Sequence, residues 1–237
     1  MSSPVSIAIE TSCRLGGLAL GRGEDLLNVI RFDAKGRHAT QLISRLRDLL
    51  AGQNLTVQDL NEVYVSAGPG SFTGLRVGIT AARTLAQALP DLRCVAVPTA
   101  RVIAEGDTAR RLDWTHLGVI LDARKGTIHA TRFERNGEDA IETAPGRVLS
   151  PKDFLADAPR PLLLIGEGLA HETVEGRGVV QVPPEPPEAH LPTPEAVWRV
   201  GRKLAWANHF TEYHHLLPIY ALRPEAIRLW EARNQAR

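Results

Sequence analysis

Short apolar runs and helical periodicities alternate along this chain, and the alternation predicts its elements. Val5 to Ile9, Gly16 to Leu20 and Leu26 to Phe32 are β-prone runs, the last two joined by the hairpin-like Gly21-Arg22-Gly23-Glu24-Asp25. An amphipathic helix is expected over His38 to Ala51. Leu42, Ile43, Leu46, Leu49 and Leu50 form its apolar stripe, Arg45, Arg47 and Asp48 lie on other faces, and Gly52 suits its exit. Thr56-Val57-Gln58-Asp59 resembles a capping box opening one short turn. Val63 to Ala67 predicts a buried strand, Phe72 to Leu89 a helix and Leu92 to Val97 another strand. Thr99 is expected to cap a helix reaching Glu105.

The later part repeats this order. Leu117 to Asp122, Thr127 to Glu134 and Ile141 to Leu149 predict three strands. Ser150-Pro151-Lys152-Asp153 is a helix start, with a capping serine and proline at the first helical position. Leu162 to Ile165 and Val179 to Val182 predict strands, and the proline-rich stretch from Val182 to Pro194 an extended surface loop. Thr193-Pro194-Glu195 opens a helix to Asn208, with Val197, Val200, Leu204 and Ala207 as its buried stripe. Pro218 to Arg223 is a short extended piece before a basic tail. Each half therefore begins with three strands, a helix and a strand. This pattern predicts a duplicated α/β architecture with mixed sheets wrapped in helices, divided into units 1–106 and 107–237.

Composition narrows the function classes. The 237 residues suit one large or two small domains, and a formal charge of +1 argues against a broad basic nucleic-acid surface. Cys13 and Cys94 are far apart without metal spacing, which fits a reducing compartment and small core residues. The first residues show no charged region followed by an apolar stretch, and no run approaches the ~20 apolar residues of a membrane span. A soluble, cytoplasmic protein is expected.

The most distinctive stretch is Gly68-Pro69-Gly70-Ser71-Phe72-Thr73-Gly74-Leu75-Arg76-Val77-Gly78, between a strand and a helix. A strand, a glycine turn and a helix N-terminus can cradle an anion. Yet Leu75 follows Gly74 where a Walker loop needs Lys, and Thr73 replaces the last glycine of a dinucleotide fingerprint. Gly74, Gly78, Ala82 and Ala86 recur every fourth residue and line one helix face. Glycine inside a helix costs about 1 kcal/mol against alanine, so this stripe needs a packing reason, either in the chain's own core or at a seam with a second protein. Ser71 lacks the flanking glycines of a nucleophile elbow and suits a helix N-cap, with Thr73 in the first turn. His209, His214 and His215 do not fall on one face, and Arg223, Arg228, Arg233 and Arg237 with Trp230 make the tail basic and aromatic. That tail could meet RNA phosphate or a protein as readily as solvent.

Ile7-Ala8-Ile9-Glu10-Thr11-Ser12, Arg37-His38-Ala39-Thr40-Gln41-Leu42, the glycine motif, Leu121-Asp122-Ala123-Arg124-Lys125-Gly126 and Pro218-Ile219-Tyr220-Ala221-Leu222-Arg223 together resemble the bacterial TsaB family, in order and spacing over most of the chain. The resemblance implies the two-lobed actin-like, sugar-kinase and Hsp70-type (ASKHA) fold. It implies an inactive paralogue of the transferase TsaD, in the machinery that places threonylcarbamoyl on the adenosine beside the anticodon of tRNAs reading ANN codons. It further implies that this paralogue holds TsaD, that the ATPase TsaE joins, that TsaC-type enzymes make the threonylcarbamoyl-adenylate donor, and that homodimers use the same surface.

The residues agree with an inactive reading. In the active relative a His-x-x-x-His pair holds a metal, whereas here Leu42 stands four positions after His38. Kinases of this fold hold phosphate on an Asp-x-Gly turn, whereas here the turn reads Glu10-Thr11-Ser12 and its second-half equivalent Asp122-Ala123-Arg124. The expectation is a non-catalytic scaffold, without metal or cofactor of its own, whose two long helices meet TsaD. The expected partner-binding residues are His38, Gln41, Leu42, Arg45, Ser71, Phe72, Gly74, Leu75, Gly78, Ala82 and Ala86. The alternative is an ATP-dependent phosphotransferase with Glu10 and Asp122 around Mg²⁺; a peptidase has little support, because the sequence shows no metal or nucleophile set.

Overall fold

The structure, a computed structural model, describes residues 3–33, 38–123, 126–183 and 186–222. Its strands are β1 (Val5–Glu10), β2 (Leu15–Arg22), β3 (Asp25–Asp33), β4 (Glu62–Gly68), β5 (Arg93–Pro98), β6 (His116–Asp122), β7 (Ile128–Asn136), β8 (Asp139–Leu149), β9 (Leu162–Ile165) and β10 (Val179–Gln181). Its α-helices are α1 (His38–Ala51), α2 (Phe72–Ala88), α3 (Thr99–Ala104), α4 (Asp107–Arg111), α5 (Pro151–Ala156) and α6 (Pro194–Trp206).

The strands form two five-stranded sheets, ordered β3-β2-β1-β4-β5 and β10-β9-β6-β7-β8. In the first, β1–β2 and β2–β3 are antiparallel while β1–β4 and β4–β5 are parallel. In the second, β6–β7 and β7–β8 are antiparallel while β6–β9 and β9–β10 are parallel. The two topologies match strand for strand, and this is the duplicated α/β arrangement of the actin-like fold. Helix α5 stands where α1 does in the first half. The place of α2 is taken by a single 3₁₀ turn, Glu167–Ala170. One copy of the repeat has thus kept a 17-residue helix that the other lacks.

Strands β1 and β4 are buried along their whole length, as central strands covered on both faces must be. Ile7, Ile9, Val63 and Val65 share one cluster with Leu42, Leu46, Leu49 and Leu50 of α1 and Ile79, Ala82 and Ala86 of α2. Each buried leucine there contributes about 1.5–3 kcal/mol. On the other face, Ala8, Tyr64, Val95 and Val97 meet Ala196, Val197 and Val200 of α6. Helix α6 therefore follows the second sheet in sequence yet covers the first. It lies close because Gly201 leaves room for the Tyr64 ring, which a Cβ would approach to 2.4 Å. Trp198 anchors the helix by donating from Nε1 to Ser6 Oγ at 2.9 Å.

Several local readings change. Ile43 is 57% exposed, one position off the buried stripe of α1. Ala207 is the exposed C-cap of α6, not part of its buried stripe. Thr99 is the first residue of α3, and Pro98 takes the cap position. Helix α4 lacks the length to show a period, and only its Ala109 is buried. The proline-rich stretch is not wholly a surface loop: His190 is buried, accepting from Gly166 N–H at 3.1 Å. The capping box at Thr56 and Asp59 and the Ser150 cap of α5 form as expected. The basic tail from Arg223 lies outside the described residues.

Candidate functional site

The glycine motif forms the junction between β4 and α2, and it is packed against the turn that follows β1. Ser71 caps α2, its Oγ accepting from Gly74 N–H at 3.3 Å, while its own N–H donates to Ser12 O at 2.6 Å. Thr11 Oγ1 donates to Gly74 O at 2.8 Å. A Cβ on Gly74 would stand 1.9 Å from Thr11 O, and one on Gly78 2.3 Å from Thr11 Oγ1. Gly68, with φ +112°, is covered by the strap after α6: Ile219 O would lie 2.1 Å from its Cβ, and Ile219 N–H donates to Ala67 O at 2.7 Å. The strap continues to Tyr220, whose ring centroid is 5.0 Å from that of Phe72. Arg76 lies over the same phenyl ring at 5.4 Å.

This packing divides the expected partner-binding set into buried and outward-facing residues. Gly74, Leu75, Gly78, Ala82 and Ala86 are all buried, and so is Leu42, by the chain's own sheet and helices. The small side chains let α2 settle onto the β1 turn and the first sheet, so the stripe faces the chain's own core. The outward flank is different. Arg45, Ser71 and Phe72 are exposed and Gln41 is half-buried, whereas the side chain of His38 lies outside what is described. Between α1 and α2 runs an open groove of about 510 Å³, lined by Leu42, Ile43, Thr73, Arg76, Val77, Thr80, Ala81 and Thr84. All but Leu42 were absent from the expected set. The signal was present in the sequence: Val77, Ala81 and Thr84 follow helical spacing on the flank away from the glycines.

The β1 turn is closed upon Glu10, which is fully buried. Its Oε1 accepts from Ser12 N–H at 2.5 Å and Ser12 Oγ at 2.6 Å, and its Oε2 accepts from Ser66 Oγ. Burial pushes the Glu10 carboxyl above its ordinary range; the Ser12 and Ser66 hydrogen bonds pull it back, and the charge of Glu167 adds to the rise. Glu167 is itself raised by burial and by the charge of Asp122. Asp122 stands exposed at the end of β6. Among the described residues no group of three or more His, Cys, Asp or Glu is arranged to hold a metal ion. Leu42, 2% exposed, puts an apolar side chain where the second histidine of a helical pair would stand. Burial pushes the Cys13 thiol up and the Cys94 thiol to about 11, so neither supplies a thiolate near neutral pH. His209, His214 and His215 are exposed. No helix among the described residues is long and apolar enough to cross a membrane.

Residues 32–225 match the family model described as TsaD, tRNA N6-adenosine threonylcarbamoyltransferase. The chain is 27% identical over 233 residues to the tRNA threonylcarbamoyladenosine biosynthesis protein TsaB of Bacillus subtilis, covering 94% of this chain and 96% of that one. It is 30% identical over 99 residues to the TsaB of Escherichia coli, 42% of each chain. In fold it is similar to a Pseudomonas aeruginosa structure described as an uncharacterized protein with similarity to peptidase YEAZ. The TM-score is 0.79 at 20% identity, covering 92% of this chain and all of that one. The duplicated sheets and the family match together place this chain in the TsaD family of tRNA N6-adenosine threonylcarbamoyltransferases, as a TsaB-type member with a part in threonylcarbamoyladenosine biosynthesis.

Proposed function

We propose that this chain is a non-catalytic, activating scaffold that binds a TsaD-like transferase through the outward flanks of α1 and α2. The observation that carries the non-catalytic reading is the closed β1 turn. A turn that held phosphate would offer backbone N–H groups to the ligand. Here the Ser12 N–H is taken by Glu10 and is not offered to a ligand. The docking flank rests on the groove between α1 and α2. Ile43, 57% exposed, and Arg76 line it, and Phe72, 47% exposed at the start of α2, packs against Arg76. Apolar side chains flanked by arginines have the composition of an interface core.

In this reading a TsaE-like ATPase joins the assembly, tRNA is met through the complex, and a homodimer would use the same flank in competition with the transferase. The cytoplasm, where tRNA is modified, is its place. The test is co-purification with a TsaD-like protein, followed by tRNA modification with and without this chain. Retention of the partner and dependence of modification on this chain support the reading. ATP turnover by this chain alone would favour the phosphotransferase instead.

A further inference from the structure

A chain of alternating charges crosses the joint between the two sheets. Glu105, at the C-cap of α3, has a side chain with no exposed surface. It accepts from Arg101 Nε at 2.9 Å and from Lys203 Nζ at 2.7 Å. The same ammonium of Lys203 donates to Asp139, the first residue of β8. One helical turn earlier, Arg199 donates from Nη1 to Glu105 O at 3.3 Å and from Nη2 to Asp107 at 2.8 Å. Arg199 and Lys203 are four apart, so both reach out from one face of α6. Helix α6 belongs to the core of the first sheet, whereas Asp139 belongs to the second. Helix α3 is shared between them, with Val102 in one cluster and Ala100, Ile103 and Ala104 in the other.

We propose that Lys203 is the pin of an electrostatic latch that fixes the angle between the two sheets. Apolar contact between the halves is non-directional and permits small rotations. A buried carboxylate does not, because a swing that parts Glu105 from Lys203 leaves one of its oxygens without a partner out of water, Arg101 holding only the other. Glu105 is such a group, and Lys203 ties it to the second sheet through Asp139. The latch contributes orientation, which a scaffold presenting a preset surface needs, and it stands independently of which partner that surface takes.

The test is a distance distribution between spin labels on exposed strand positions of the two sheets, at Asn28→Cys and Arg147→Cys. The native Cys13 and Cys94 are both buried and leave the labels selective. The full-length protein should give one narrow distance. In Lys203→Met, which keeps the aliphatic stem, the width should at least double while circular dichroism shows the same helix and strand content. Asp139→Ala, at a half-exposed carboxylate, cuts only the tie to the second sheet and should also at least double it. If Lys203→Met does not fold, Asp139→Ala decides alone. An unchanged width in folded Asp139→Ala overturns the latch.

Discussion

The hydroxyl of Thr11 donates to the carbonyl of Gly74, and with the Ser71 N–H to Ser12 O bond it joins the turn after β1 to the start of α2. The backbone of Thr11 stands so close that a methyl on Gly74 would overlap it. Gly74→Ala should therefore destabilise by about 1–3 kcal/mol, the range for overpacking a filled site. That corresponds to roughly 2–4 °C in Tm per kcal/mol for a chain of this size. Gly78→Ala should behave alike, pressing on Thr11 Oγ1. Thermal denaturation checks both. A charge at Gly78 or Ala82 should remove partner binding only together with the fold.

Glu10 gives a pH dependence with a definite sign. Its folded pKa is raised by burial, so the folded state holds the proton more tightly than the unfolded chain. The stability it contributes is full below the unfolded carboxylate pKa and is lost as pH rises through the folded value. Glu10→Gln mimics the protonated side chain, with an oxygen for Ser12 N–H and an amide for Ser66. Its Tm should equal that of the parent near pH 4 and exceed it increasingly toward pH 8. A constant difference at all pH values would contradict the assignment.

The strap from Leu216 to Tyr220 holds the glycine motif from outside. Leu216 is fully buried in the cluster of the first sheet, and Leu216→Ala should cost about 2–5 kcal/mol in chemical denaturation. Tyr220→Ala removes only the ring against Phe72 and should cost about 0.5–1.5 kcal/mol. It should also weaken partner binding, because Phe72 then lacks its support on the proposed docking flank.

Much of the fold was legible because its strands and long helices carry clear periods. The repeated order of strands announced the duplication. The direction of a stripe was not legible. Gly74, Gly78, Ala82 and Ala86 have the same spacing whether a helix settles on its own sheet or on a neighbour's helix. Only the position of Thr11, sixty-three residues away in the chain, decides between them. Likewise the apolar face of α6 does not say which sheet it covers; Tyr64 and Gly201 say so only once the chain has folded. Ile43 looked like core by hydrophobicity, yet it lines the open groove, since Leu42, Leu46, Leu49 and Leu50 already fill the buried face. The chemistry of Glu10 was half legible: the missing glycine was visible, the capture of Ser12 was not.

Calorimetric titration of this chain with a TsaD-like transferase, comparing the parent with Ile43→Asp, tests the central claim most directly. Ile43 is exposed, so the variant should melt within about 0.5 kcal/mol of the parent. If the outward flank of α1 and α2 is the docking surface, affinity should fall by about 30-fold or more, as for a central interface anchor. Undiminished binding by the folded variant would contradict the account.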